Sequence, residues 1–208
     1  MGRYCGSVCR LCRVEGEKLF LKGERCFSAK CAVEKREGGP GQHGKRRSKA
    51  SGYKLQLREK QKVKRVYGLN EEQFRNTFAK AAQSKGMTGT ELITKLEKRL
   101  DNMVFRMGFA YSRRHARQLV RHGLMLVNGK KVDIPSYQVS TGDVVEVRPK
   151  SKDKIAIAGA MVLAQSRSIP TWINVDRENK KATVESMPTR DQITQPMNEQ
   201  LIVELYSR

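Results

Sequence analysis

The sequence contains no long apolar segment and few hydrophobic residues overall. Of its 208 residues, 38% are hydrophobic and 6% are aromatic, with a single tryptophan. No secretory apolar region follows Met1, and no apolar run approaches the roughly 20 residues that span a bilayer. We therefore expect a soluble intracellular protein without a membrane partner, long enough for two modest domains.

Acidic residues are also scarce, which points to a polyanionic partner. Lysine and arginine total 42 against 21 aspartate and glutamate residues, and the formal net charge is +21. So large an imbalance is typical of proteins that bind nucleic acid. The excess is uneven, because residues 1–150 carry a net +20 and residues 151–208 only +1. We expect the first three quarters of the chain to face nucleic acid and the last quarter to complete the fold or contact protein.

Sequence motifs of enzymes are missing as well. The chain has no Walker phosphate loop, no nucleophile elbow, and no aspartate set in a second large domain of the kind that a pseudouridine synthase needs. We therefore predict that the protein is not an enzyme and has neither catalytic residues nor a small-molecule substrate.

Cysteine is absent after residue 31, and five cysteines are clustered before that point. Cys9 and Cys12 have the two-residue spacing of a zinc knuckle, while Cys26 and Cys31 supply a second pair. Four thiolates suit tetrahedral zinc and leave no open position for an activated water. We predict one structural zinc ion bound by these four cysteines.

Alternatives for the cysteines remain open. Cys5 is a spare that could replace another ligand, and His43 is a weaker substitute. Disulfides fit the odd count and a reducing compartment poorly, and unligated thiols are the other alternative. A DNA-binding zinc finger is disfavoured, because the segment lacks paired histidines and a basic recognition helix.

The segment SRRHARQLVRHGLMLVNGKKV, residues 112–132, is the most informative part of the chain. At about 100° per residue in a helix, its four arginines fall within about one quarter of the circumference. Ala116, Leu119 and Val120 fall on the neighbouring arc, so one face packs and the adjacent face can bind. The arginines are Arg113, Arg114, Arg117 and Arg121.

Turn and cap residues mark the boundaries of this module. Ser112 is a suitable N-cap and Gly123 a suitable helix end. After an apolar run, Asn128 and Gly129 favour a two-residue hairpin turn. A further strand over residues 144–147 completes a helix packed on a small antiparallel sheet.

The charges of the module lack a local acidic partner. Neither Asp nor Glu occurs between Asp101 and Asp133, although the segment also carries Lys130 and Lys131. A solvated basic helix face is the simpler alternative, but it leaves so many cations uncompensated that a bound anion is the better explanation.

Other basic segments precede the module. GGPGQHGKRRSKASG, residues 38–52, is rich in glycine and bases and is predicted to be a loop that contacts RNA, a flexible linker being the alternative. Residues 53–66 are predicted to form a basic helix. All residues predicted to contact RNA are Arg3, Arg10, Arg13, Lys22, Arg25, Lys45, Arg46, Arg47, Lys49, Arg58, Lys62, Arg65, Arg113, Arg114, Arg117, Arg121, Lys130 and Lys131.

Periodicity predicts the remaining elements. Asn70 is expected to cap a helix that ends at Gly86 and has an apolar stripe, and one continuous helix is expected from Thr88 to Met107. An alanine-rich helix is predicted over 153–167, followed by strands over 172–175 and 182–184. The segment 198–206 is predicted as a helix or an edge strand, with the helix favoured.

The module resembles the RNA-binding module named after ribosomal protein four of the small subunit, on the motifs SRRHARQLVRHG, VNGKKV and VSTGDVVEV. Pseudouridine synthases, tyrosyl-tRNA synthetases and a ribosome-rescue protein carry relatives of that module. The resemblance to the family of ribosomal protein four extends over essentially the whole chain, through MGRYCGSVCRLCRVEG, FLKGERC, PGQHG, LREKQKVKRVYG, RLDNMVFRMGF and NEQLIVELYSR. The cysteine set is similar to that of the zinc-retaining bacterial form.

The resemblance implies an α+β fold in which the RNA-binding module is an insertion. A zinc-binding basic segment would occupy residues 1–45, a helical domain residues 46–95 completed by 178–208, and the inserted module residues 96–177. The last segment would return to the first domain.

The resemblance also implies a function as a structural constituent of the small ribosomal subunit in the cytoplasm. The protein would be a primary binder of small-subunit rRNA at a junction in the 5′ domain, acting early in assembly. It would lie beside ribosomal protein five, at an interface linked to translational accuracy, and near mRNA at the pore where mRNA enters. A transient ribosome-associated RNA-binding factor or RNA chaperone is the alternative.

Overall fold

Helices and short antiparallel strands alternate along the chain in an α+β arrangement. The computed structural model describes residues 4–36, 38–44, 51–152, 154–165, 167, 169–193 and 196–207. Within these ranges the helices are α1 (Val8–Glu15), α2 (Ala32–Lys35), α3 (Gly52–Val66), α4 (Glu71–Ala82), α5 (Thr88–Glu97), α6 (Leu100–Arg106), α7 (Arg113–Arg121), α8 (Ile155–Ala164) and α9 (Glu199–Tyr206). The strands are β1 (Met125–Val127), β2 (Lys130–Lys131), β3 (Val144–Val147), β4 (Ile173–Asp176) and β5 (Lys181–Val184).

The chain divides into two compact units. The first comprises Met1–Leu92 together with Gln195–Arg208, and the second comprises Ile93–Thr194. The predicted return to the first domain at residue 178 is therefore placed too early. Strand β5 pairs with β3 and β4 in the sheet of the second unit, so the chain leaves that unit only after β5.

In the first unit, the predicted helices α3 and α4 and the predicted Asn70 cap are confirmed, although α4 ends at Ala82 and not at Gly86. Ser51 Oγ accepts the backbone N–H of Lys54 at 3.3 Å at the start of α3. Asn70 Oδ1 accepts the N–H of Gln73 at 2.8 Å at the start of α4. These side chains satisfy backbone donors that have no partner within the first turn of a helix.

The C-terminal segment forms helix α9, which packs on α3 and α4. The Tyr206 ring stacks on Phe78 with ring centroids 4.4 Å apart, and Gln56 Nε2 donates to Glu204 Oε2 at 3.0 Å. The apolar stripe predicted on α4 is confirmed in part, because Phe74 and Ala81 are buried whereas Ala82, the last residue of the helix, is exposed. The helical interpretation of the last segment is confirmed over the strand alternative.

The second unit contains an antiparallel sheet with the strand order β2-β1-β3-β5-β4. Asn128 and Gly129 both have positive φ, 50° and 75°, as the predicted hairpin turn between β1 and β2 requires. In this hairpin Leu126 pairs with Lys131 and Val127 with Lys130. The sheet, the hairpin and the strands predicted near 144–147, 172–175 and 182–184 are confirmed.

Apolar side chains from the helices and the sheet form one core in the second unit. Leu119 and Val120 of α7 pack there with Val145 of β3, Ile157 of α8 and Trp172. Helix α8 has an apolar sequence, but no helix within the described ranges is both long and apolar enough to cross a membrane.

The long helix predicted to lead into the basic module is broken. Arg99 is extended, with φ −63° and ψ 135°, and separates α5 from α6. The Lys98 carbonyl accepts the N–H of Val139 at 2.9 Å, and the Leu100 N–H donates to the Tyr137 carbonyl at 2.9 Å. The backbone at the break therefore bonds to a distant segment of the chain instead of continuing the helix.

Candidate nucleic-acid interface

Helix α7 is the centre of the candidate interface. Ser112 Oγ accepts the N–H of His115 at 3.3 Å, which confirms the predicted N-cap. Ala116, Leu119 and Val120 are buried, as the helical pattern predicts. The apolar face of α7 thus fixes the helix on its core, and the direction of each arginine decides which of them can reach a ligand.

Arg113 points into the second unit, which corrects its assignment to the phosphate-binding face. It is only 8% exposed, and its Nε donates to Asn102 Oδ1 at 2.7 Å. Its guanidinium lies 4.7 Å from the centroid of the Phe105 ring. Asn102 in turn donates from Nδ2 to buried Glu97 at 2.7 Å, and Arg106 forms two bonds with that carboxylate. Arg113 therefore belongs to an internal polar network.

Arg117 is also engaged within the unit. Its Nε lies 3.1 Å from Asp101 Oδ2, and the two side chains are 14% and 6% exposed. Arg99 binds the same carboxylate through Nε at 3.1 Å and through a terminal nitrogen at 2.9 Å. The expectation that no acid compensates the arginines of α7 is therefore wrong for Arg117, because the tertiary fold brings Asp101 to it.

Most of the remaining predicted cations of the module face solvent. Arg121, Lys130 and Lys131 are exposed, while Arg114 is half-buried. Gly123 has φ 64°, and a Cβ built on it would lie 2.2 Å from Cε of Lys131. The Lys131 side chain therefore lies at Gly123, at the end of α7 that carries Arg121.

Arg148 extends this group and is absent from the sequence prediction. It is exposed, and its backbone N–H donates to the Leu124 carbonyl at 2.9 Å, beside the end of α7. A cation directly after the strand VVEV is the sequence signal that could have indicated it. We call Arg121, Lys130, Lys131 and Arg148 the α7–hairpin surface. Glu146 of β3 pairs with Leu126 of β1, which pairs on its other side with Lys131.

The predicted RNA-binding cations of α3 form ion pairs in the first unit. Arg58 lies 3.2 Å from Glu15 Oε1, and Arg65 binds the same oxygen. Burial raises the pKa of Glu15, whose side chain is 4% exposed, and the two arginines oppose this shift. Lys62 similarly binds Glu17 at 3.0 Å. The structure thus gives these cations a role in attaching the N-terminal segment to α3.

The predicted cations near the cysteines differ in exposure. Arg10, Lys22 and Arg25 are exposed. Arg13 instead donates to the backbone carbonyls of Gly38 at 3.3 Å and Gly39 at 2.9 Å. The other predicted cations lie outside the described residues: Arg3, Lys45, Arg46, Arg47 and Lys49.

All five cysteines lie within the described residues, and none of them forms a disulfide there. Cys12, Cys26 and Cys31 are buried, Cys9 is half-buried and Cys5 is exposed. Burial is the main cause of the raised pKa values of Cys12 and Cys26, and the neighbouring thiols raise them further. Cys12 is therefore close enough to the other three predicted ligands for their charges to affect it.

The donor set fits zinc in chemistry, although the sulfur positions do not form a finished site. Within the ranges that the structure describes, no group of three or more His, Cys, Asp or Glu side chains is arranged to hold a metal ion. The Lys22 N–H nevertheless donates to Cys26 Sγ at 3.4 Å, the kind of bond that steadies a thiolate ligand. The zinc knuckle remains a prediction.

Comparisons with known proteins identify the family. Residues 3–97 match the family described as ribosomal protein S4/S9 N-terminal domain, and residues 98–145 match the family described as S4 domain. Three relatives are each named small ribosomal subunit protein uS4, and each is covered along 100% of both chains. The protein from Koribacter versatilis is 59% identical, that from Desulfosudis oleivorans 57% and that from Thermodesulfovibrio yellowstonii 55%.

The chain belongs to the uS4 family of small ribosomal subunit proteins. The resemblance found in the sequence motifs is thereby confirmed, and the family is one of ribosomal proteins rather than of enzymes. The S4 domain match covers α6, α7 and the β1–β2 hairpin, so most of the α7–hairpin surface lies within it. Strands β4 and β5 complete the sheet beyond the matched residues.

Proposed function

We propose that the protein is a structural constituent of the small ribosomal subunit in the cytoplasm and binds its ribosomal RNA. The observation that carries this proposal is identity of 55% to 59% along the full length of proteins named for that subunit. The formal net charge of +21 supports a polyanionic partner of this kind.

In the second unit, the α7–hairpin surface binds RNA phosphates. Its cations are exposed, so they can contact phosphate oxygens without giving up an internal bond, whereas Arg113 and Arg117 would have to leave Asn102 and Asp101. The buried face of α7 holds the surface on a rigid core. Little conformational freedom is then lost on binding, and each neutralised phosphate releases condensed counterions.

In the first unit, Arg10, Lys22 and Arg25 supply further RNA contacts from the cysteine segment. Their side chains are exposed, while Glu15 and Glu17 compensate Arg58, Arg65 and Lys62 of α3. Within unit one we therefore assign RNA contacts to the N-terminal segment ahead of α3. The predicted loop cations Lys45, Arg46, Arg47 and Lys49 act in the same way and lie near mRNA where it enters the subunit.

The finer role proposed here is that of a primary rRNA binder at a junction in the 5′ domain, acting early in assembly. The weakly charged C-terminal quarter, with a net +1, contacts neighbouring ribosomal protein five and thereby influences translational accuracy. A segment with little net charge suits a protein neighbour better than a phosphate backbone.

A single structural zinc ion, held by Cys9, Cys12, Cys26 and Cys31, is also part of the proposal. The support is that three of these thiols are buried and that Cys26 Sγ accepts a backbone N–H. Bound zinc would keep the thiolates ionised and close the N-terminal segment around them.

Quantification of purified small subunits tests the main proposal. We expect one copy of the protein per subunit after washing in high salt, because a structural constituent is buried among rRNA and other proteins. Release by the wash, or much less than one copy per subunit, would identify a transient ribosome-associated factor or RNA chaperone instead. Direct binding of the full chain to a small-subunit rRNA transcript, measured at several salt concentrations, tests the RNA contact itself.

A further inference from the structure

Phe27 is an exposed aromatic residue in the cysteine segment. Phe27 is 61% exposed, although phenylalanine is among the residue types most often buried. The ring stacks on Phe20, with centroids 5.0 Å apart and an angle of 29° between the planes. Phe27 is thus supported by a second ring while much of it stays accessible to solvent.

The backbone of Phe20 is in an unusual conformation that accompanies this stacking. Its φ is 51°, in the left-handed region that bulky residues rarely adopt. Unfavourable backbone conformations persist where the surrounding structure imposes them, and they cluster at functional sites. The cysteine segment therefore maintains a strained backbone at the residue that carries the supporting ring.

Exposed cations flank Phe27 in the sequence. They are Lys22, Arg25 and Lys30, against one exposed acid, Glu24. Arg25 Nε donates to the Lys30 carbonyl at 3.3 Å, which links the residues on the two sides of the ring. Aromatic rings combined with cations are the features with which proteins bind unpaired nucleotides, the ring stacking on a base and the cations contacting the backbone.

We propose that Phe27 is a stacking platform for one unpaired base of the rRNA that the protein binds. This inference rests on the proposed rRNA binding and adds a mode of contact to it, because stacking on a base differs from a phosphate contact. The excess of cations around the ring favours RNA over an apolar protein surface as the occupant.

Titration of the full chain with a small-subunit rRNA transcript tests the proposal. Phe27→Leu should weaken binding roughly 5- to 100-fold, the range for loss of one base–aromatic stack. The loss should be equal at every salt concentration, because no charge is removed. Phe27→Tyr should keep the parental affinity, and Arg25→Gln should instead flatten the dependence of log affinity on log salt.

Fluorescence provides a second measurement that does not depend on affinity. The only native tryptophan, Trp172, is 2% exposed in the core of the second unit. Phe27→Trp therefore adds an exposed tryptophan whose emission should be quenched when a base stacks on it, with affinity retained. Met87→Ala, which removes another exposed apolar side chain of the first unit, is the matched control for Phe27→Leu and should keep the parental affinity for the transcript.

The possible failures are distinguishable. If the parental chain does not bind the transcript, the proposed function itself fails. If the parental chain binds and Phe27→Leu binds equally well, or if RNA leaves the emission of Phe27→Trp unchanged, the stacking inference alone is overturned. Should Phe27→Leu fail to fold, the quenching measurement still decides the question.

Discussion

Arg117 of helix α7 forms an ion pair with Asp101 of helix α6, with Nε 3.1 Å from Oδ2. Arg99, which lies at the break between α5 and α6, binds the same carboxylate with two nitrogens. One buried acid therefore joins helices α6 and α7 to the break between α5 and α6. The helical pattern predicts that Arg117 binds phosphate, but this ion pair engages Arg117 within the unit.

Loss of the Asp101 charge should destabilise the second unit. Asp101→Asn leaves two largely buried arginines without their counter-charge, which typically costs about 3 to 5 kcal/mol of unfolding free energy. Trp172 in the core reports the unfolding of this unit in urea. Asp133→Asn, at an exposed acid, is the control and should be close to neutral. Equal stability of Asp101→Asn and the parental chain would contradict the assigned role.

Arg121 and Arg113 should respond in opposite ways to the same substitution. Arg121→Gln should weaken rRNA binding and flatten the slope of log affinity against log salt by roughly 0.7 to 0.9, since one phosphate contact is lost. Folding should hardly change, because Arg121 is exposed. Arg113→Gln should instead lower stability, because it removes the bond to Asn102 and the contact with the Phe105 ring.

Arg121→Gln and Arg113→Gln are compared with Leu119→Ala, which alters the packing of α7 on the core without changing the charge of the chain. It should cost about 2 to 5 kcal/mol of stability and leave the salt slope of the folded fraction unchanged. If Arg121→Gln keeps the parental slope, the α7–hairpin surface is solvated rather than bound to RNA.

Removal of one cysteine ligand should abolish zinc binding and disorder the N-terminal segment. Elemental analysis of the native chain should give one zinc per molecule, and Cys12→Ser should lose it, because metal binding contributes folding energy to the segment that it closes. Unfolding of the second unit, followed through Trp172, should be unaffected. Cys5→Ser should retain the ion, since Cys5 is exposed and is the predicted spare. A native preparation free of metal would refute the zinc proposal.

Stability of the second unit should fall at mildly acidic pH because of His115. Burial lowers the pKa of His115 from its ordinary value of 6.5, and Nδ1 accepts the Tyr111 N–H at 3.3 Å, which requires an unprotonated nitrogen. Because the pKa is lower in the folded than in the unfolded state, this stabilisation is complete above pH 6.5 and is lost as pH falls below it.

The pH dependence is measured by urea unfolding at about pH 7.5 and about pH 5.5, on either side of the ordinary histidine pKa. His115→Gln should lose less stability than the parental chain between these two values. His122→Gln, at an exposed histidine, should behave as the parental chain does. Identical pH dependence in the His115 variant and the parent would show that this group is not responsible.

Local signals predicted most of the elements correctly. Ser112 and Asn70 cap helices, and Asn128 with Gly129 turns the hairpin, because each of these effects depends on a few neighbouring residues. The break at Arg99 was not predictable in this way, since its hydrogen bonds come from Tyr137 and Val139.

The site was predictable in composition but not in the direction of its side chains. A helical wheel places Arg113 and Arg117 beside the apolar arc, and residues at that border can turn inward or outward. Inward placement needs a buried polar partner, and Asn102 and Asp101 supply it from helix α6. Arg148 follows β3 in the sequence, and its position beside the end of α7 depends on the long-range bond from its N–H to the Leu124 carbonyl.

The sequence by itself determined the charge, the cysteine cluster, the caps and turns, and the family resemblance, because all of these depend on composition and short-range order. The tertiary structure decided where α5 ends, that β5 belongs to the second unit, and which cations remain exposed. Strand pairing and buried ion pairs join residues far apart in the chain, such as Asp101 with Arg117. Their geometry exists only once the core that holds both partners has formed.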